Sequence, residues 1–187
     1  MIETKYLTME ELNLGLELIK QSPKHEGILH MIVRRPEIDI REVIETAQLD
    51  VINGLVGDNW KVRGSSRTSD GSSHPDMQLN IMNSRVISLI AQERWQLAGD
   101  QLFIDLDLSE ENMPPGTQLA LGSALIEITN QPHNGCAKFS SRFGKDALKW
   151  VNSPEGKKLH LRGLNAKVIK SGTVHVGALV SKLKASI

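Results

Sequence analysis

Hydrophobic and polar positions along this chain alternate in short runs, and that rhythm predicts strands. Gly27-Ile-Leu-His-Met-Ile-Val33 is β-branched and bounded by Gly27 and Pro36, which predicts a strand, and Met77 to Met82 alternates in the same way. In 102–108, Leu102, Ile104, Leu106 and Leu108 point one way while Asp105 and Asp107 point the other. That pattern predicts a strand with a solvated acidic face. Gly122 to Thr129 is apolar and β-branched, and Leu164–Ile169 with Val174–Val180 predict a closing pair of strands around Ser171-Gly172. Arg41 to Leu49 fits either a helix or a strand by composition.

Helical patterns are fewer. Thr8-Met-Glu-Glu11 has the form of a capping box, and Leu12, Leu16 and Ile19 follow at helical spacing until Ser22-Pro23, which predicts a helix over 9–21. Asn83-Ser84 cap a second helix over 85–92, with Val86, Leu89 and Ile90 on its apolar face. Ser140 to Val151 reads as one helix, with Phe143, Ala147, Leu148 and Val151 on a stripe, ended by Asn152 to Gly156. Many short strands, few helices and no βαβ rhythm predict an all-β or β-rich α+β fold. A closed barrel is favoured because closure removes unpaired edges.

Composition narrows the class. A chain of 187 residues with 22 basic and 22 acidic side chains has no global field that calls for nucleic acid or a membrane surface. One cysteine excludes an internal disulfide framework and suits a reducing compartment. No run of about 18 apolar residues is present, and Met1-Ile-Glu-Thr-Lys-Tyr6 lacks the regions of a signal peptide. The expectation is a cytoplasmic protein with no nucleic-acid or membrane partner.

Two stretches carry candidate chemistry. Arg63-Gly-Ser-Ser-Arg-Thr-Ser-Asp-Gly-Ser-Ser-His74 has no hydrophobic residue. It reads either as a surface loop or as an anion cradle, because Gly-Ser amides beside arginines form anion-binding concavities. Gln131-Pro-His-Asn-Gly-Cys-Ala-Lys-Phe139 holds the single cysteine, three residues after His133 and two before Lys138. Pro132 and Asn134-Gly135 end the preceding strand and present the sulfur in a loop. A thiolate beside a cation is a nucleophile and a metal ligand. The plain alternative is a cysteine used as a small buried hydrophobe. Zinc is disfavoured, since no second Cys/His pair completes four ligands, and no cysteine cluster suits iron–sulfur.

Over roughly residues 27–183 the chain resembles the MOSC domain, the module at the C-terminus of molybdenum cofactor sulfurases. The resemblance rests on Gly116-Thr-Gln-Leu119, Gly122, Ala124, Glu127-Ile-Thr129, Pro132 and Cys136, in that order. Gly54-Leu-Val-Gly-Asp58 matches the family's G-L-x-G-D, and Arg162-Gly163, Lys167-Val168, Gly172 and Gly177 match its closing strands. Asn59 stands where cofactor-binding members commonly have a basic residue, and Asp100-Gln101 stands where an asparagine-containing segment is usual.

The resemblance implies a MOSC-like β-barrel over 27–187 with a few peripheral helices, preceded by a helical extension over 1–26. It also implies that 41–49 is a strand. It implies a molybdenum cofactor, with Cys136 carried over as the metal's sulfur ligand. A pterin phosphate needs charge-assisted donors, and Arg63, Ser65, Ser66, Arg67 and Thr68 are the supply the chain offers, with Asp58, Asn134 and Arg162 as further cofactor-binding candidates and His133 and Lys138 as catalytic neighbours of the sulfur. Arg85 is a reserve donor. Pyridoxal phosphate binding is associated only at family level. Three functions follow: a molybdenum-cofactor reductase of N-hydroxylated small molecules, a carrier of sulfur as a Cys136 persulfide, and a binding module with a structural cysteine. With no G-x-G-x-x-G in the chain, the first two require a separate electron-donor or sulfur-donor protein.

Overall fold

The computed structural model describes residues 6–183. Residues 1–5, which include most of the stretch read as leaderless, and 184–187, the end of the expected barrel segment, lie outside the described residues.

The chain opens with α1 (Met9–Leu14) and α2 (Leu16–Lys20), followed by β1 (Glu26–Arg34), β2 (Glu42–Ile44), β3 (Thr46–Asp50) and β4 (Gly54–Leu55). Next come α3 (Trp60–Arg63), β5 (Leu79–Asn83), α4 (Ser84–Ala91), β6 (Leu102–Ile104), β7 (Gln118–Leu121) and β8 (Ala124–Ile128). Three helices then run in sequence, α5 (Ala137–Phe143), α6 (Lys145–Val151) and α7 (Pro154–Lys158), before β9 (Leu164–Lys170), β10 (Gly172–His175) and β11 (Leu179–Lys182).

Seven strands close a barrel in the order β11-β7-β8-β9-β5-β6-β1, with β1 pairing back onto β11. Closure leaves these strands no free edge. Every pairing in the ring is antiparallel except β5–β6, which is parallel because α4 crosses between them. β2 extends from β1 beyond the ring, and β10, β3 and β4 form a second small sheet. The strand expected over 41–49 is therefore two short strands that serve different sheets.

Two apolar clusters hold the fold. One fills the barrel, with Leu29, Ile32, Ile81, Leu102, Ile104 and Ile126 among its buried members. The other lies outside the barrel wall under the helices and includes Leu12, Ile19, Phe103, Phe139, Phe143 and Trp150. Both faces of β6 are thus buried, and Phe103 sits with the helices while its neighbours face the barrel. The predicted alternation over 102–108 places the four aliphatic residues correctly, but regular pairing stops at Ile104. Asp105 lies beyond that end and binds Arg85, whose Nε is 2.7 Å from Oδ1. Arg85 is therefore occupied away from the cysteine loop's helix.

The helices are shorter than the sequence pattern predicts. The Thr8–Glu11 capping box forms as expected, but Gly15 divides 9–21 into α1 and α2. The single helix expected over 140–151 starts earlier, at Ala137, and breaks at Gly144, whose φ of +93° no helical residue adopts. Asn152 caps the end of α6 as expected, and the same stretch then begins another helix, because the Ser153 hydroxyl accepts from the Gly156 amide and Pro154 takes the first helical position. Among the described residues, no helix is long and apolar enough to cross a membrane.

Candidate functional site

Residues 129–136 run without regular structure from the end of β8 to α5, and Cys136 stands at the N-cap of that helix. Its side chain is exposed, so it is not the buried apolar residue of the plain reading. The loop is held from both sides. Asn165 on β9 donates through Nδ2 to the carbonyls of Gln131 and Pro132, at 3.1 and 3.3 Å. Asn152, at the end of α6, clasps Gly135 by accepting from its amide at 2.9 Å and donating to its carbonyl at 3.1 Å. The residue before the sulfur is thus fixed by two backbone bonds that hydrophobic patterning does not reveal.

A buried polar chain joins this loop to the Gly54–Asp58 turn. Asn165 Oδ1 accepts from Asn80 Nδ2 at 2.7 Å, and Asn80 Oδ1 accepts from Arg35 at 3.2 Å. Arg35 forms a two-bond pair with Asp58, Nε to Oδ2 at 2.8 Å and Nη2 to Oδ1 at 2.9 Å. The Asp58 side chain has no exposed surface and the Arg35 side chain only 5%. Asp58, expected among the cofactor-binding residues, therefore spends its carboxylate on Arg35 and on the amides of Arg35 and Trp60. Gln101 belongs to the same network, accepting from the Asn80 amide at 2.7 Å and donating to the Gln78 carbonyl at 3.1 Å. Glutamine at this position completes a buried network.

Arg35 is one member of a row. Burial holds Arg41 below the ordinary arginine range, and Arg142 and Arg35 push it further the same way. Arg63 is exposed as a residue, yet partial desolvation lowers it too, with Arg35 repelling it and Asp58 opposing. Arg35 thus repels both Arg41 and Arg63, and Arg142 repels Arg41. Arg41 Nε and Asn59 Oδ1 are buried without any hydrogen-bond partner. Buried polar atoms without partners are costly and point to a ligand or ordered solvent. Lys138 is well exposed and shares Asp39 with Arg142, at 3.6 and 3.4 Å.

The polar loop after Arg63 reaches the cysteine loop, where Arg67 Nη1 donates to Gln131 Oε1 at 3.4 Å. Inside it, the Ser65 hydroxyl accepts from the Arg67 amide, and the Thr68 hydroxyl bonds the carbonyls of Ser65 and Ser72. Those two side chains organise the loop itself. Ser66 and Arg63 are exposed, as is Asn134 in the cysteine loop. The sequence reading named Arg63 and Arg67 but missed Arg35, Arg41 and Arg142.

His133 and Arg162, expected to serve the sulfur and the cofactor respectively, meet on one carboxylate. Asp100 is fully buried, with Oδ1 2.8 Å from His133 Nε2 and Oδ2 2.6 Å from Arg162 Nη1. Arg162 also donates to the Ala98 carbonyl at 3.1 Å and lies over the Phe139 ring at 5.0 Å, while its Nε has no partner. Burial pushes Asp100 up, but Arg162 and then His133 outweigh it, so its net direction is down. Burial holds His133 below the ordinary imidazole range, Arg162 lowers it further, and Asp100 opposes both. An ionised Asp100 is acceptor-only, so neutral His133 donates from Nε2 and keeps Nδ1 as an acceptor.

That arrangement gives stability a sign with pH. The unfolded chain protonates this histidine near about pH 6.5, whereas the folded chain does so only at lower pH. Its contribution is complete above about pH 6.5 and is lost as pH falls below it; that of Asp100 is lost at more acidic pH, through its depressed value. His133→Gln is expected to shallow the fall in urea midpoint between about pH 7 and 5. Parallel falls in the two proteins would remove His133 as the titrating group.

Arg162 is followed by Gly163, whose φ is +102° and where an added Cβ would lie 2.1 Å from the Ile81 carbonyl oxygen. Gly163→Ala is therefore expected to lower stability by about 1–3 kcal/mol. An unfolding midpoint unchanged from wild type would contradict this packing.

A family model described as MOSC domain matches residues 85–181. That span holds Asp100, His133, Cys136, Arg142 and Arg162, while Arg35, Arg41, Asp58 and Arg63 precede it. No curated protein matches the chain at a significant level. Among solved structures, the YuaD protein of Bacillus subtilis is similar over 85% of this chain and 97% of its own, with 13% identity and a TM-score of 0.58. YiiM of Escherichia coli is 21% identical over 85% of this chain and 71% of its own, with a TM-score of 0.54. YiiM of Geobacillus stearothermophilus is 15% identical over 86% and 75%, with a TM-score of 0.53. At these identities the likeness is one of fold.

Proposed function

The chain belongs to the MOSC domain family, and from that premise we propose that it is a molybdenum-cofactor-dependent reductase of N-hydroxylated small molecules acting through Cys136. One observation carries the reading. An exposed cysteine starts the helix that bears Arg142, in a row of arginines that includes Arg41 with a buried Nε lacking a partner. A cysteine sulfur is a suitable soft ligand for molybdenum. The phosphate end of a pterin cofactor requires charge-assisted donors, and a row of mutually repelling guanidiniums is relieved by an anion. The residues present fit the group: Cys136 would hold the metal, and Arg41, Arg63 and Arg142 would hold the phosphate.

The chemistry such a cofactor supplies when bound is electron transfer to the substrate. The chain's own residues do the rest. Asn152 and Asn165 fix the loop so that the sulfur keeps its position. Asp100 and Arg162 orient His133, whose Nδ1 can accept or return a proton on the substrate. Electrons come from a separate donor protein, in the cytoplasm. A second reading, a carrier of sulfur as a Cys136 persulfide, is favoured by the exposure of that thiol.

The test measures reduction of a hydroxylamine by protein from a molybdenum-replete host, with reduced methyl viologen as the electron source. Activity that disappears in Cys136→Ser is the expected result. Inactive protein that gains one sulfur atom on Cys136 from a persulfide donor, seen by intact mass, would replace the reductase with the carrier.

A further inference from the structure

Beside the cysteine loop, on the side of α7, lies a cavity of about 430 Å³ that His133 and Arg162 share with residues given no role above. Its size falls within the range of small-molecule sites. The floor is apolar, with Met113, Ile128, Val151 and Leu164. His133 lines one wall. Its Nε2 is taken by Asp100, while Nδ1 makes no hydrogen bond among the described residues. Arg162 lines the cavity as well, with 9% of its side chain exposed, its charge matched by Asp100 and its Nε unpartnered. His160 contributes a second imidazole; its Nδ1 is engaged by the Leu108 carbonyl at 2.7 Å, which leaves Nε2 free. Lys157 and Lys158, in the last turn of α7, line the cavity opposite a single acid, Glu110. Two lysines against one glutamate leave a net charge of +1 on the lining.

We infer that this cavity is a binding site for a small organic anion with a planar or aliphatic body. The body rests on the apolar floor, the anionic group meets Lys157 and Lys158, and an O–H or N–H of the ligand donates to His133 Nδ1. Electroneutral ligands of the same shape lose the lysine contact and bind more weakly. Under the proposed function this anion is the substrate, and that word alone rests on the reductase reading. The binding does not.

The probes are 4-hydroxybenzoate and its uncharged counterpart 4-hydroxybenzamide, titrated into metal-free protein while the ring nitrogens of His133 are followed by NMR. The expected result is a His133 Nδ1 shift on adding 4-hydroxybenzoate, with binding at least tenfold tighter than for the amide. A Lys157→Gln/Lys158→Gln double variant removes that preference while its melting temperature stays that of wild type, since both lysines are exposed. No response at His133, equal binding of the two probes, or a preference retained in the double variant would each overturn the inference. Anion binding here in a chain that never takes up molybdenum would keep the site and discard the reductase. Molybdenum uptake without anion binding would do the reverse.

Discussion

Arg35→Met is expected to destabilise the protein by about 3–5 kcal/mol, the usual consequence of removing one partner of a buried ion pair. Asp58 would lose its charged partner with no exposed side-chain surface, keeping the backbone amides of residues 35 and 60 and the Gln101 amide at 3.5 Å. The loss extends past the pair, because Arg35 also donates to Asn80 and to the Gly99 carbonyl, at 3.2 and 2.7 Å. Asn80 in turn holds Asn165, which pins the loop in front of Cys136. Urea unfolding of the single variants and of an Arg35→Met/Asp58→Leu pair separates the terms. The pair should recover much of the stability, since replacing both charges removes the uncompensated one. A single-variant loss below about 1 kcal/mol, the range of an exposed ion pair, would mean that water reaches Asp58.

Cys136→Ser should act in the opposite way, harming function and sparing the fold. The side chain is exposed, so stability should change by less than about 0.5 kcal/mol. Reductase activity should fall on the order of 100-fold or more, which corresponds to about 2.7 kcal/mol of lost transition-state stabilisation. Serine keeps the size but offers a hard oxygen where a soft sulfur is required. An active Cys136→Ser protein would move the chemistry elsewhere on the chain.

What could be read from the sequence divides by the range of the interactions. Strands declared themselves because β8 and β9 carry their apolar residues at local spacing, and the cysteine loop did so because Pro132 and Asn134-Gly135 sit beside a unique cysteine. The breaks at Gly15 and Gly144 were missed because an apolar stripe continues across both. Phe103 lies on the strand face opposite Leu102 and Ile104, and the helical layer against β6 explains its burial. Arg35 and Arg41 lie in the β1–β2 connection and Arg142 on α5, about a hundred residues later, so no spacing along the chain marks them as a group. Asp100 was noted only for the asparagine that does not follow it. Its role depends on His133 and Arg162, which lie 33 and 62 residues away.

Molybdenum content is the most direct measure of the central claim. Protein purified from a host grown with molybdate should carry close to one molybdenum per chain, released together with a phosphorylated pterin. Arg41→Ala and Arg142→Ala should each lower that occupancy, and Cys136→Ser should reduce it most. A wild-type chain from the same host that holds neither molybdenum nor pterin would contradict the account.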